Sequence, residues 1–283
     1  MGTEGKKVNH GKEGGNISRG KEEKLRITWH GTACFSIEYG ADRILFDPFL
    51  ELAGGSYAAD FDTLMEYDTV FVTHGHFDHL YTAELMLEEG DGDVSVFCTK
   101  QCCEILDRFL EDQSNVVQID AGRTYEIGSI RIEVLKGHHI EFRKRNIFDT
   151  LTPWRMLRYA GNLPFLFWAN RIFQEGGESV AFLIMAGGKK ILLLGSLSVH
   201  PQETYPEDVD ILILPYQGNN DLPARAKEVL ARIRPKSVLL SHFDNAFPPM
   251  SRDVNLRPLK RMMDETYPGI RVVKPEAGKT IEF

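Results

Sequence analysis

The sequence predicts an α/β (α+β) protein in which two sheets pack face to face and helices cover the outside. Two runs of strand-like segments with helical patterns among them, one before residue 140 and one after residue 178, favour this arrangement. Candidate functional side chains also fall at the ends of predicted strands, where loops of an α/β scaffold gather chemistry. These residues are Asp47, His74, His139, Ser196 and His242.

The predicted elements alternate along the chain. In the first half, apolar alternation predicts strands at 25–29, 33–39, 43–46, 69–73, 94–98, 115–119, 123–127 and 129–136, with helices at 79–89 and 101–111. In the second half, we expect strands at 179–185, 190–194, 210–214 and 237–241, helices at 223–233 and 254–266, and a closing strand pair at 270–274 and 279–283.

Composition limits the functional classes. The chain has 283 residues, of which 42% are hydrophobic, and its net charge is −8. No basic run is present, and phosphate binding needs clustered Lys and Arg, so no nucleic-acid partner is expected. No stretch reaches the roughly 18 consecutive apolar residues of a membrane span, and no signal peptide is recognised. We therefore expect a cytoplasmic protein.

Four cysteines are expected to be reduced thiols in that compartment: Cys34, Cys98, Cys102 and Cys103. Three of them share one short segment, with Cys98 ending a predicted strand and the other two starting a predicted helix. This spacing leaves two interpretations open, structural thiols or a soft-metal or redox site.

Two segments depart from the sandwich pattern. Residues 1–23 are rich in Gly, Lys, Glu, Asn and Ser and are interpreted as a disordered arm, so His10 is not counted as a ligand. An apolar insertion at about 140–177 carries two of the three tryptophans among several arginines. We expect either a helical hairpin packed on the domain or in a homo-oligomer interface, or an apolar lid or lipid-contacting surface, with peripheral membrane contact through 150–172.

The stretch 74–79, His-Gly-His-Phe-Asp-His, places three imidazoles and a carboxylate directly after an apolar strand. Side chains two apart in extended backbone share a face, so His74 and His76 point the same way. Asp78 and His79 open the next helix and face a second point nearby. Imidazole nitrogen and carboxylate oxygen are ligands for zinc, manganese and iron. The motif therefore predicts a metalloprotein.

The order of these motifs resembles the metallo-β-lactamase superfamily. The matching residues are Asp47-Pro48, the motif His74-x-His76-x-Asp78-His79, a histidine near 139, the Gly195-Ser196 pair and the late His242. The pattern of motifs is similar to that of the branch that contains ascorbate-phosphate lactonase and the phospholipase-D-like acylethanolamine enzymes. The resemblance spans about 24–283 and implies an αββα four-layer sandwich with a metal site in the cleft.

The resemblance also implies a set of ligands. One metal would be held by His74, His76 and His139, and a second by Asp78, His79 and His242. His138 competes with His139, and we prefer His139 because an extended pattern resumes after it. Asp47 matches the family's buried carboxylate that orients ligand imidazoles. Ser196 stands where the family usually has a bridging aspartate, and a neutral hydroxyl is a poor bridge.

The implied activity is hydrolysis by a metal-bound hydroxide, with Asp78 orienting the water or accepting its proton. The cofactor is one or two zinc ions, with manganese or iron as alternatives, and the substrate is a small molecule, favoured to have an apolar portion, with an ester, lactone or phosphodiester-type bond. Predicted substrate contacts are His30, Tyr216, Gln217 and Asn219. The alternatives are an RNA- or DNA-processing nuclease of this fold, a metal-stabilised binding module without catalysis, and an iron oxidoreductase.

Overall fold

Two seven-stranded sheets form the centre of the computed structural model, which describes residues 23–140 and 151–283. In the first sheet the strands follow the order β14-β1-β2-β3-β4-β5-β6. Their bounds are Arg26–Gly31 (β1), Cys34–Tyr39 (β2), Asp42–Phe46 (β3), Thr69–Phe71 (β4), Ser95–Cys98 (β5), Val116–Gln118 (β6) and Thr280–Glu282 (β14). The expected disordered arm lies outside the described residues apart from its last position, as does the part of the insertion at 141–150.

The second sheet follows the order β13-β12-β11-β10-β9-β8-β7. Its strands are Thr124–Ile127 (β7), Ile130–Lys136 (β8), Val180–Ala186 (β9), Lys189–Leu194 (β10), Ile211–Pro215 (β11), Ser237–Ser241 (β12) and Arg271–Val273 (β13). Both sheets are mixed, since β3 to β6 and β10 to β13 run parallel while the remaining pairs are antiparallel.

Seven α-helices lie within the described residues. They are Phe61–Leu64 (α1), Phe77–Glu89 (α2), Lys100–Leu106 (α3), Pro153–Arg158 (α4), Leu163–Ile172 (α5), Leu222–Ile233 (α6) and Arg257–Thr266 (α7), with a 3₁₀ turn at Ala160–Asn162. Helix α2 begins two residues earlier than predicted, and α3 ends five residues earlier. The insertion carries two helices, α4 and α5.

Strand alternation explains the layers. In β3, Ile44 and Phe46 belong to the cluster between the sheets, whereas Leu45 between them belongs to the cluster that includes α2 and α3. Side chains one apart on a strand point to opposite faces, so a sheet covered on both faces needs apolar residues at every position. The predicted αββα sandwich is confirmed, and residues of α6 and α7 belong to the same cluster as Ile44 and Phe46.

The predicted pairing of the last two strands is wrong. β13 adds parallel to β12 in the second sheet, and β14 adds antiparallel to β1 in the first. The intervening segment crosses between the sheets, where Gly278 donates its N–H to the carbonyl of Trp29. Both strands have a plausible hairpin pattern, but each instead completes an edge of a different sheet. No helix within 23–140 or 151–283 is long and apolar enough to span a membrane.

Aromatic packing between the sheets gives a stability prediction. Phe182 on β9 contacts Phe46 and Phe71, with ring centroids 5.6 and 5.5 Å apart, and is fully buried. Replacing Phe182 with Ala leaves a cavity, so we expect Phe182→Ala to lower the free energy of unfolding by about 3–5 kcal/mol. The measurement is chemical denaturation. The control is Phe167→Ala, since Phe167 is 77% exposed and should change stability by less than about 0.5 kcal/mol; equal losses for both variants would contradict this packing.

Candidate metal centre

The end of β4 and the start of α2 position the histidine motif. His74 follows β4, and His76 is the N-cap residue of α2, with φ −69° and ψ 152°. Asp78 lies in the first turn of α2, where the helix dipole favours a negative charge. The change from extended to helical backbone within these positions directs four side chains from one short segment into the same cleft.

One group of donors consists of His74, His76 and His139, whose ligand atoms lie within 4.8 Å of one another. The ring of His139, which follows β8, lies 4.9 Å from that of His74 and 4.6 Å from that of His76. Burial lowers the pKa of His76 to about 4 and that of His139 to about 3, and holds the pKa of His74 well below its ordinary value. At neutral pH this group presents three uncharged imidazoles.

A second group consists of Asp78, His79 and His242, again within 4.8 Å. His242 Nε2 lies 3.0 Å from Asp78 Oδ2, and His79 Nε2 lies 3.8 Å from the same oxygen. Burial raises the pKa of Asp78, but the neighbouring His79 and His242 outweigh burial and hold it below its usual range. The carboxylate is therefore ionised at neutral pH, as a metal ligand must be.

Asp47 contacts both Thr73, just before the histidine motif, and His79 within it. It follows β3, and its carboxylate accepts hydrogen bonds from the N–H of Thr73 at 2.7 Å and from the Thr73 hydroxyl at 2.9 Å. Its second oxygen lies 2.9 Å from His79 Nδ1. With that nitrogen occupied, His79 Nε2 is directed to the cleft. Asp47 adopts a left-handed φ of 46°, an unusual backbone that turns the side chain inward.

Thr73 is a contact that the sequence analysis missed. Its hydroxyl lies 2.9 Å from His74 Nδ1 while donating to Asp47. His139 Nδ1 similarly lies 2.9 Å from the carbonyl oxygen of Ile140. Partners on Nδ1 leave Nε2 of these imidazoles facing inward, which is how proteins orient histidine ligands. The sequence feature that could have identified Thr73 is its position directly before the histidine motif.

The structure brings His139, and not His138, into the first group. His138 is exposed, and its Nδ1 lies 2.9 Å from the hydroxyl of Ser198. The two neighbours diverge because consecutive residues of an extended chain point to opposite sides.

Ser196 has a contact that explains its position. Its hydroxyl accepts a hydrogen bond from the N–H of Ile140 at 3.0 Å, next to His139. Ser196 is outside both donor groups within the described residues. The preceding Gly195 lies close to Thr73, since a Cβ at position 195 would be 2.6 Å from Cβ of Thr73. Ser196 thus braces the loop that carries His139.

The donor set fits a zinc-class ion. Five imidazoles and one ionised carboxylate are the nitrogen and oxygen ligands that such ions take. His242 adds a further observation, because its Nε2 faces Asp78 while its backbone adopts a left-handed φ of 53°. His74 Nε2 lies 3.1 Å from His76 Nδ1, and a cation placed among these neutral imidazoles would be bound by their lone pairs.

A cavity of about 460 Å³ adjoins the first group. The side chains of Glu175 and His200 contribute to it, and the sequence analysis identified neither as a substrate contact. The lining consists of His76, Gly137, His138, His139, Ile140, Glu175, Gly177, Ser179 and His200. Glu175 lies in a polar turn after α5 with no pattern of its own, so the sequence offered no signal for it.

The structure places two of the predicted substrate contacts, His30 and Tyr216, in buried positions. His30 is 4% exposed, and its Nε2 lies 2.9 Å from the hydroxyl of Ser36, with its ring against Tyr67. Tyr216 is 1% exposed within the core, and burial raises the pKa of its hydroxyl. Both side chains are enclosed by other residues, and their contact with a substrate stays a prediction. Each sits in or directly after a strand, and the sequence did not reveal which side of the sheet it faces.

The other two predicted contacts lie in loops and make local hydrogen bonds. Gln217 Nε2 donates to the carbonyls of Asp244 and Arg252, at 3.2 and 2.9 Å. The side-chain oxygen of Asn219 accepts from the N–H of Asp221 at 2.9 Å, at the start of α6. Neither residue lines the cavity beside the first donor group.

The helices of the insertion combine a packed face and an exposed face. Phe165 packs against Phe77 and Tyr81 of α2, with ring centroids 6.1 and 5.2 Å apart. Trp154 and Phe167 are 71% and 77% exposed. Neither α4 nor α5 lines the cavity beside the first group. The expected membrane contact through 150–172 and the expected self-association stay predictions.

Comparison with known proteins identifies the family. Residues 26–242 match the beta-lactamase superfamily domain. The chain belongs to the beta-lactamase superfamily. A UPF0173 metal-dependent hydrolase of Desulfitobacterium hafniense is 34% identical over 241 residues, which cover 81% of this chain and 87% of that protein. The protein is therefore a metal-dependent hydrolase of this superfamily.

Other relatives agree with this membership. A UPF0173 metal-dependent hydrolase of Thermoplasma volcanium is 27% identical over 262 residues, covering 92% of this chain and 99% of the relative. Among solved structures, Igni18, a metallo hydrolase from the archaeon Ignicoccus hospitalis, superimposes with a TM-score of 0.60 at 17% identity, covering 92% of this chain and 98% of that one. The latter likeness concerns the fold.

Asp47 provides a test of metal binding. Asp47→Asn keeps the shape of the side chain but removes the charge that faces His79. Because partners of ligand imidazoles typically change metal affinity 10–100-fold, we expect a loss of about that size. The measurement is zinc competition against a chromophoric chelator. Asp60→Asn is the matched control, since Asp60 only caps α1 and Asn caps equally well; equal affinities for both variants would contradict the orienting role.

His30 gives a prediction of pH dependence. Burial lowers its pKa to about 4, while an unfolded histidine titrates near 6.5. Between these values the unfolded chain binds more protons, so stability falls as the pH drops from about 6.5 to about 4. At about 1.4 kcal/mol per pKa unit, His30 accounts for about 3 kcal/mol of that fall.

The measurement is chemical denaturation of His30→Gln between pH 7 and pH 4, with chelator present throughout. We expect a shallower decline than in the unchanged protein, whatever the variant's stability at pH 7. His10→Gln, which changes a histidine outside the described residues, should retain the full decline. Parallel curves for all three proteins would show that His30 is not held neutral.

Proposed function

We propose that this protein is a dinuclear zinc hydrolase. In this proposal His74, His76 and His139 hold one ion, and Asp78, His79 and His242 hold the other. The observation that carries the proposal is the pair of adjacent donor groups, each with its ligand atoms within 4.8 Å. Zinc and a cytoplasmic location are both part of the proposal.

The chemistry follows from the donors. When bound, a zinc-class ion lowers the pKa of a coordinated water from about 15.7 to about 7 and polarises a carbonyl or phosphoryl oxygen. Asp78 supplies the ionised carboxylate that would accept a hydrogen bond from the attacking water and orient it. Asp47 keeps His79 oriented through its Nδ1, and Ser196 keeps the loop at His139 in position.

The hydrogen bond made by Ser196 supports the roles proposed here for Ser196 and Asp78. Its hydroxyl is engaged by the N–H of Ile140, which suits a positioning residue better than a ligand. Asp78 is then the single carboxylate among the six proposed ligands. Fewer negative charges favour a weaker second ion, because each carboxylate offsets part of the charge that two divalent cations bring together.

The cavity favours a small-molecule substrate. Its lining includes His138, Glu175 and His200, which offer hydrogen bonds to a polar group placed beside the first donor group. We propose that the bond cleaved is an ester, lactone or phosphodiester-type bond, which such a centre attacks by the same chemistry. An apolar portion of the substrate would extend beyond this polar lining.

The metal content of the purified protein tests the proposal. Elemental mass spectrometry on protein prepared without chelator or nickel should give two zinc equivalents per chain. His76→Ala should lower the zinc content and reduce hydrolysis of chromogenic esters, lactones and phosphodiesters at least about 100-fold, because it removes a proposed ligand. His10→Ala is the control and should match the unchanged protein in both measurements.

Each contrary outcome has a distinct meaning. One equivalent of zinc would contradict the dinuclear centre and leave a mononuclear hydrolase. Hydrolysis at an unaltered rate in His76→Ala would overturn the catalytic role of the motif. Cleavage of RNA, with none of the small substrates accepted, would replace the proposed substrate class with a nuclease.

A further inference from the structure

Three of the four cysteines lie where β5 leads into α3, and none of them belongs to either donor group. Cys98 ends β5, and its Sγ lies 3.6 Å from Sγ of Cys103 on α3. Cys102 is engaged differently, because its sulfur accepts a hydrogen bond from the hydroxyl of Thr99 at 3.3 Å. We propose that Cys98 and Cys103 form a thiol pair that a hydroperoxide oxidises to a reversible disulfide.

The geometry favours a disulfide over a metal site. The two sulfurs are already in van der Waals contact, and a disulfide needs them at about 2.05 Å, a closure that side-chain rotation and a small shift of the helix can provide. By contrast, the three sulfurs are not among the groups of described residues whose ligand atoms all lie within 4.8 Å. Two sulfurs alone do not make a zinc or copper site.

The two thiols are inequivalent, which suits a two-step oxidation. Cys103 is partly exposed, whereas Cys98 is fully buried. A hydrogen bond from Cys98 lowers the pKa of the Cys103 thiol, and contacts with Cys102 and Cys103 raise that of Cys98. The accessible sulfur is thus the readier nucleophile, and the buried sulfur is placed behind it to resolve the product.

The steps balance with hydrogen peroxide as the oxidant. The Cys103 thiolate attacks one peroxide oxygen, the O–O bond breaks, and hydroxide leaves and takes up a proton to become the first water. Cys98 sulfur then attacks Cys103 sulfur in the sulfenic acid, the S–O bond breaks, and the thiol proton leaves with the oxygen as the second water. Two thiols are oxidised and one peroxide is reduced.

The first turn of α3 links this pair to the cavity. Gln101 lies between the two cysteines, and its N–H donates to Oε2 of Glu178 at 2.9 Å. Glu178 lies between Gly177 and Ser179, which line the cavity, and Ser179 pairs with His74. Drawing Cys103 toward Cys98 displaces the backbone at Gln101. We therefore expect oxidation to loosen the cavity wall at 174–179.

The experiment uses the full chain, reduced, freed of reductant, and treated with a few equivalents of hydrogen peroxide. After alkylation of remaining thiols, proteolysis that cleaves after Lys100 separates Cys98 from the other two cysteines. We expect one disulfide-linked peptide pair, which disappears in Cys103→Ser and on addition of dithiothreitol. Cys102→Ser and Cys34→Ser are the matched controls and should both retain it.

A second measurement tests the effect on the cavity. Hydrogen exchange of the oxidised protein should be faster in peptides covering 174–179 than in the reduced protein, and unchanged by peroxide in Cys103→Ser. The proposal is overturned if Cys103 proceeds to sulfinic acid while Cys98 stays reduced, or if Cys102→Ser abolishes the disulfide. Unchanged exchange in a protein shown to be oxidised would remove the link to the cavity wall.

Discussion

The buried carboxylate of Asp47 is the contact on which the centre depends. It accepts the N–H and the hydroxyl of Thr73 and faces His79, so it joins the ends of β3 and β4 to the first turn of α2. Asp47 is 1% exposed, and a charge so deeply buried is tolerated only when it is hydrogen-bonded and paired. The contacts that pair this buried carboxylate also direct His79 into the cleft.

The two donor groups differ in electrostatics, and this difference shapes their chemistry. His74, His76 and His139 are held neutral by burial and by one another, so they offer lone pairs but no charge. The second group differs because Asp78 is ionised: burial raises its pKa, but the neighbouring His79 and His242 outweigh burial and hold it below its usual range. Asp78 is the one carboxylate of the two donor groups, and the Ser196 hydroxyl makes a structural contact with the N–H of Ile140.

The scaffold brings these groups together through both sheets. His74 and Asp47 come from the first sheet, and His139, Ser196 and His242 follow strands of the second. The strands end at one edge of the sandwich, so loops from both sheets meet over the cleft. The close contact between Gly195 and Thr73 helps these loops to meet, because a side chain at position 195 would push the two strand ends apart.

By itself, the sequence determined the layered fold and the histidine motif, because both depend on local patterns: alternation along a strand, and ligands within six residues. It also identified His139 and His242 as candidates through the superfamily resemblance. Only the tertiary structure decided which neighbour of the 138–139 pair enters the cleft, and that His30 and Tyr216 are enclosed. It likewise sent β13 and β14 to different sheets. These outcomes depend on contacts between distant segments, which local periodicity does not encode.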